Sequence, residues 1–211
     1  MSPKKKPSIS DCESENIKVR RGRPAISTER VLDAAAALFA DADSPQAVTM
    51  DAIAAKAGTG KGTLFRAFGN REGLLRELWA RKLAALRSGV EKGDPPLGPG
   101  ALPQERAVAF LDALLLFKLK NRHLIRALEF GPGLLQSEHY RWMHGLLQHF
   151  IERAARAITE DDAGYAAHVL LAAIHIDLVE DMMAGGLSPA SIRQAQAAHV
   201  RALISNARRR R

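Results

Sequence analysis

Residues 49–71, TMDAIAAKAGTGKGTLFRAFGNR, constrain this chain more than any other stretch, because two short helical patterns meet there at a glycine. Ile53, Ala54 and Ala57 share the spacing of one apolar helical face, Gly58 tolerates positive φ, and Leu64, Phe65 and Phe68 renew the face. Two helices joined in this way must cross at the glycine, with Ala54 small enough for close approach and Leu64 filling the angle between them. The spacing predicts a helix-turn-helix. Its outward surface carries Thr59, Lys61, Gly62, Thr63 and Arg66, which are phosphate and base-edge donors gathered near the start of the second helix, where the helix dipole favours anions.

The rest of the chain reads as helices. Residues 1–24 mix Pro, Ser, Lys and acidic side chains without periodicity, which predicts a disordered basic arm. Its Arg21-Gly22-Arg23-Pro24 resembles the core of an AT-hook, so Arg21 and Arg23 are expected in a minor groove; the competing reading is a linker that only feels the phosphate field. Ser27 or Thr28 opens a first helix that ends near Asp41, Asp43-Ser44-Pro45 is turn chemistry, and Thr49 caps the second helix. Gly69-Asn70 stops the third. A fourth starts near Arg71 with Leu74, Leu75, Leu78, Trp79, Leu83 and Leu86 inward and with Glu72/Arg76 and Glu77/Arg81 at i,i+4 spacing outside. Four prolines and three glycines between Gly93 and Pro103 predict a long loop. Beyond it the expected helices run from Pro103 to Lys120, from His123 to Phe130, from a Ser137 cap to about Ile158, from a Thr159 cap to about Ala184, and from Ser188-Pro189 onward. The expected architecture is all-α. An N-terminal three-helix domain with the helix-turn-helix spans residues 25–87 after the arm, a helical bundle spans 88–207, and a basic tail follows at 208–211.

The formal charge of +8 is concentrated at the ends: residues 1–24 hold seven Lys/Arg against three Asp/Glu, and the last four residues are all Arg, which leaves the body neutral. Such ends attract polyanions, while a neutral body argues against coating nucleic acid along the whole surface. Cys12 is the only cysteine, which excludes an internal disulfide and points to a reducing cytoplasm. No apolar run approaches the ~18 residues of a membrane span, and no membrane partner is expected.

The order TMDAIAAKAG, TGKGTLFRAF, GNREGLLREL resembles the DNA-binding domain of the TetR (tetracycline-repressor-like) family of bacterial transcription regulators, over about Ser27 to Arg87. The resemblance implies a homodimer with an all-helical ligand-binding and dimerisation domain. It also implies a double-stranded DNA operator and a small-molecule effector as partners, and repression as the outcome. The expected DNA contacts are Arg21, Arg23, Thr49, Thr59, Lys61, Gly62, Thr63, Phe65, Arg66 and Arg71. Arg71 matches a basic position that lies over the DNA backbone in the family. Phe65 stands where the family most often has a tyrosine touching a phosphate, and keeps the packing role without the hydroxyl.

The family dimerises through its last two helices, so Ala163, Ala166, Leu170, Ala173, Ile174 and Asp177 on one, and Ile192, Ala195, His199 and Leu203 on the other, are the expected dimer face. Phe110, Leu114, Phe117, Phe130, His139, Trp142, Met143 and His175 are the expected lining of an effector pocket. The histidines do not suggest a metal: His139, His144 and His149 are five apart and rotate about 140° at each step, while His168 and His175 stand about 10 Å apart along a helix. No cofactor and no catalytic residues are expected, since no HExxH, paired cysteines or nucleophile elbow occurs. A competing reading is an architectural protein that binds DNA through its basic tails.

Overall fold

The computed structural model describes residues 27–129, 135–155 and 157–209. Arg21, Arg23 and Phe130 therefore lie outside the described residues, as do the rest of the basic arm and the last two arginines, while Arg208 and Arg209 of the expected tail belong to the last helix. Among the described residues the fold is all-α, with ten α-helices, one short 3₁₀ turn and no strand.

The first four helices are α1 (Thr28–Asp41), α2 (Met50–Ala57), α3 (Lys61–Phe68) and α4 (Arg71–Lys92), with the 3₁₀ turn at Pro45–Ala47 between α1 and α2. Their ends follow local chemistry. Ser27 Oγ accepts from Arg30 N, Thr49 Oγ1 accepts from Ala52 N at 3.1 Å, and Asn70 Oδ1 accepts from Gly73 N at 2.8 Å, each satisfying an amide that has no partner inside its helix. At the end of α2, Gly58 adopts φ 66°, its N–H meets Ala55 O, and Thr59 N–H meets Ala54 O at 2.9 Å. That double bond turns the chain sharply into α3. Gly73 is required for a different reason: a Cβ there would lie 2.0 Å from Phe68 O, so the first turn of α4 presses directly on the end of α3.

Val31, Leu32, Ala35, Phe39, Val48, Ile53, Ala57, Leu64, Leu74, Leu75 and Leu78 form one core, and Leu64 fills the α2–α3 angle with no exposed surface. Arg81 does not pair with Glu77. It reaches back to α1 and binds Glu29 at 3.0 Å and Asp33 at 2.8 Å, because the packing of α1 on α4 brings two carboxylates to it; the Glu72–Arg76 pair does form.

The remaining helices are α5 (Pro103–Lys120), α6 (Arg122–Glu129), α7 (Glu138–Ala154), α8 (Glu160–Ala172), α9 (Ile176–Ala184) and α10 (Pro189–Arg209). A second core joins the distal half of α4, from Trp79 to Val90, to α5, α7, α8 and α10. Two expectations need correction here. α7 ends at Ala154 rather than near Ile158, and the single helix expected from Thr159 to Ala184 is broken at Ala173–His175. Alanine-rich sequence gives no reason to stop there, so the cause is tertiary. Lys118 of α5 is 5% exposed and donates from Nζ to Ile174 O at 2.9 Å and to the Glu129 carboxylate; Glu129 in turn accepts from Ile176 N at 2.8 Å. A buried ion pair thus serves the backbone groups freed by the break. Arg126 of α6 adds bonds to Asp177 at 2.8 Å and Glu180 at 2.9 Å, so α6 is fastened to α9 largely by charge.

α6 also faces the other way. It packs on α1, α4 and the Pro45–Ala47 turn, and its Leu124 belongs to the first core.

Candidate nucleic-acid interface and effector cavity

α3 is held to the protein by very little. Leu64 is its one buried residue and Phe68 is half-buried, while Lys61, Gly62, Thr63, Phe65 and Arg66 are exposed. Thr59 is half-buried at the turn that leads into the helix. Lys61 Nζ lies 2.9 Å from Asp51 in an ion pair that leaves 54% and 67% of the two side chains in solvent, a pair worth about 0–1 kcal/mol and easily exchanged for another anion. Gly60, the N-cap, offers no side-chain acceptor, so the first amides of α3 are available to an outside anion. Thr49 is exposed with its Oγ1 already capping α2. Arg71 is the exception among the expected contacts. Its guanidinium turns inward and donates to Pro45 O at 2.9 Å and Val48 O at 3.4 Å, and burial lowers its pKa.

Residues 31–78 match the family model for bacterial regulatory proteins of the tetR family. That match covers the segment from α1 into α4 that holds the helix-turn-helix. The fold across both halves is similar to solved structures. A TetR-like transcriptional regulator from Rhodococcus sp. RHA1 is 24% identical, with 85% of this chain and 96% of that one covered and a TM-score of 0.56. A TetR regulator from Streptomyces coelicolor is 18% identical, with 86% and 97% covered and a TM-score of 0.61. Among curated proteins no sequence matches. The fold is thus an N-terminal helix-turn-helix domain, matched by the tetR-family model, followed by a C-terminal helical domain.

Towards the helical half, a cavity of about 570 Å³ opens between α4, α6 and α7. Trp79, Ala80, Ala127, Leu128 and Met143 supply its apolar wall, and Glu72, Arg76, Glu77, Glu138 and Arg141 its charged one. Two of the eight residues expected to line a pocket are there, His139 and Met143. His139 Nδ1 lies 3.5 Å from Arg87 Nη2; burial first, and then the Arg87 charge, hold the imidazole below its ordinary pKa and favour the neutral ring. Phe130 is outside the described residues, and the other five lie elsewhere. Phe110 and Leu114 are fully buried in the second core, where Phe110 meets Trp142 and Phe150 edge to face at 5.7 and 6.5 Å. Phe117 packs edge-on against Trp79 at 5.6 Å, Trp142 is covered by the Arg87 guanidinium at 4.5 Å, and His175 sits at the α8–α9 break, 3.5 Å from Glu129. Sequence reasoning placed Trp79 inward but missed its α4 neighbours as lining. The lining comes from three helices distant in sequence, and no local signal records their meeting.

The residues of the expected dimer face fall into two groups. Ala163, Ala166, Leu170, Ile174 and Ile192 are buried within this chain's own core, Ala173 is half-buried at the break, and Asp177 is taken by Arg126. Ala195 and His199 are exposed, and Leu203 is half-buried in a groove with Ala166, His199 and Ala202. The outer side of α8 instead carries Tyr165, 73% exposed, with Val169 and Ala172.

His144 and His168, unrelated in sequence spacing, come together across α7 and α8 with ring centres 3.9 Å apart, and Tyr140 Oη lies 2.8 Å from His168 Nδ1. Among the described residues no group of three or more His, Cys, Asp and Glu side chains is arranged to hold a metal ion, and no helix is long and apolar enough to cross a membrane.

Proposed function

We propose that this chain is a TetR-family regulator and a cytoplasmic repressor, a homodimer whose two α3 helices read a pseudo-palindromic operator and which a small molecule in the α4–α6–α7 cavity releases. The observation that carries the reading is the exposure of α3. An eight-residue helix anchored through Leu64 spends its remaining surface on Lys61, Gly62, Thr63, Phe65 and Arg66, with Thr59 and Thr49 beside it. A Cβ on Gly62 would meet nothing within 4 Å, so nothing inside the protein demands a glycine there, whereas a phosphate backbone lying against the helix would. Arg21 and Arg23 of the arm add minor-groove contacts beside the operator half-site.

The cavity supports effector release because α4 forms one of its walls and also begins against the end of α3. Trp79, in that wall, keeps a buried Nε1 donor with no partner among the described residues, which suits a ligand with an apolar body and an acceptor. Dimerisation uses the outward residues Tyr165, Val169 and Ala172 of α8 with Ala195, His199 and Ala202 of α10. Two readers then need a separation of roughly 34 Å to enter successive major grooves, and a coupling of about 1–3 kcal/mol lowers operator affinity some 5- to 150-fold.

Selection of genomic fragments bound by the full chain tests the proposal. The bound fragments should share an inverted repeat and survive excess random DNA at moderate salt. Lys61→Ala and Arg66→Ala should weaken that binding with thermal unfolding unchanged, and Thr63→Ala should change preference at one operator position by about 1–3 kcal/mol. Fragments with no common repeat, displaced by random DNA, would instead indicate a protein that binds through its basic tails.

A further inference from the structure

We propose that Arg71 is a positioning residue for operator reading, which holds the Pro45–Ala47 turn in place for α2, and not a phosphate contact. The guanidinium spans the turn. Nη2 donates to Pro45 O at 2.9 Å and to Val48 O at 3.4 Å, and Nε donates to Val48 O at 3.4 Å, so one planar group ties both ends of the turn to the first residue of α4. Pro45 and Val48 are buried, and Val48 is part of the first core. The next residue is Thr49, the cap of α2.

Geometry then connects the brace to the reader. α2 begins at this turn, ends at Gly58 and passes directly into α3, so the direction in which α2 leaves Val48 sets where α3 points. α4 is equally fixed at its start, since Asn70 caps it and Gly73 presses on Phe68 O. Arg71 therefore links two rigid helix starts through one turn. α6 packs on the same turn and sends Leu124 into the same core, so the element that Arg71 steadies is also the one that the effector half touches. That last link rests on the proposed effector release; the brace does not.

Arginine is needed for its shape. A planar fork can serve two carbonyls at once, whereas an ammonium on a flexible stem carries the same charge with no fixed geometry. A phosphate contact and a brace consequently make opposite demands on a lysine.

The test uses the full chain and its selected operator over a salt series, with Arg71→Lys and Arg71→Ala. A brace predicts that both variants lose at least about tenfold in affinity, the scale of a lost charge-assisted hydrogen bond, while the slope of log affinity against log salt stays within about 0.5 of the original. It also predicts faster hydrogen exchange at the Ala52 and Ile53 amides of the DNA-free lysine variant. A phosphate contact predicts that lysine restores most of the binding and that alanine lowers the slope by about 0.9 per subunit. If the alanine variant does not fold, the lysine variant decides alone. Near-original affinity in Arg71→Lys, or unchanged exchange at α2, overturns the proposal.

Discussion

Lys118→Met should be among the most damaging single changes in the helical half, because it removes the cation from a site where an anion cannot be rehydrated. Lys118 Nζ is enclosed with the Glu129 carboxylate, whose side chain is 3% exposed, and with Ile174 O at 2.9 Å. Methionine fills nearly the same volume, so packing is preserved and electrostatics is isolated. What remains is a buried carboxylate served by Ile176 N at 2.8 Å, with His175 Nε2 at 3.5 Å. Breaking a buried pair in this way costs about 3–5 kcal/mol, against a total stability of about 5–15 kcal/mol. For a chain of this length that corresponds to a fall in melting temperature of roughly 6–20 °C, read by far-UV circular dichroism. Lys118→Met with Glu129→Leu should recover only part of the loss: no lone charge is left, but Ile174 O and Ile176 N lose their partners. Glu129→Gln separates charge from shape through pH. Burial lowers the pKa of Lys118 and Glu129 counteracts it, so the variant keeps only the lowering. The unfolded lysine then binds more protons than the folded one in the window between the lowered folded value and about 10.4, and stability rises with pH there; the deficit should be largest below that window and shrink towards pH 10. A Lys118→Met protein within about 1 kcal/mol of the original would refute the reasoning and make the pair incidental.

Gly73→Ala should destabilise the first core by about 1–3 kcal/mol or more, because its Cβ would meet the Phe68 carbonyl at 2.0 Å; an unchanged guanidinium midpoint would show that α4 can shift freely. Val169→Glu with Tyr165→Glu should reduce the mass in light scattering from about twice the 23.0 kDa chain to the single chain, and an unchanged dimer would exclude this face of α8. Arg21→Ala with Arg23→Ala should weaken operator binding most when the flanks are A·T-rich, whose grooves are narrow and strongly negative, and lower the salt slope by about one or two per subunit. Equal losses on A·T and G·C flanks would make the arm a phosphate-sensing linker.

The sequence determined the features that a few neighbouring residues decide. Ser27, Thr49, Asn70, Ser137 and Thr159 sit at helix starts with a side-chain oxygen within reach of an amide three residues on, and each caps its helix in the structure. Gly58 had to turn left-handed, and Leu64 had to fill the angle beyond it, because both follow from periods of a single helix. The exposed set on α3 was legible for the same reason, except for Phe65, which was read as part of the apolar face and is 42% exposed. Tertiary structure decided whatever depends on which helices meet. Arg71 is a cation at a helix start in sequence, and only the fold brings Pro45 O and Val48 O to it. Ala166 and Leu170 have the period of a buried stripe, but a stripe cannot say whether its own chain or a second copy covers it; here α7 and α10 do, and the outer face falls to Tyr165 and Val169. The break at Ala173–His175 was invisible because local propensity favours continuing the helix, and a buried Lys118–Glu129 pair brought together from α5 and α6 outweighs it. The cavity is the same kind of feature: hydrophobic spacing marks which residues face inward, while the meeting of α4, α6 and α7 decides whether the space between them is filled.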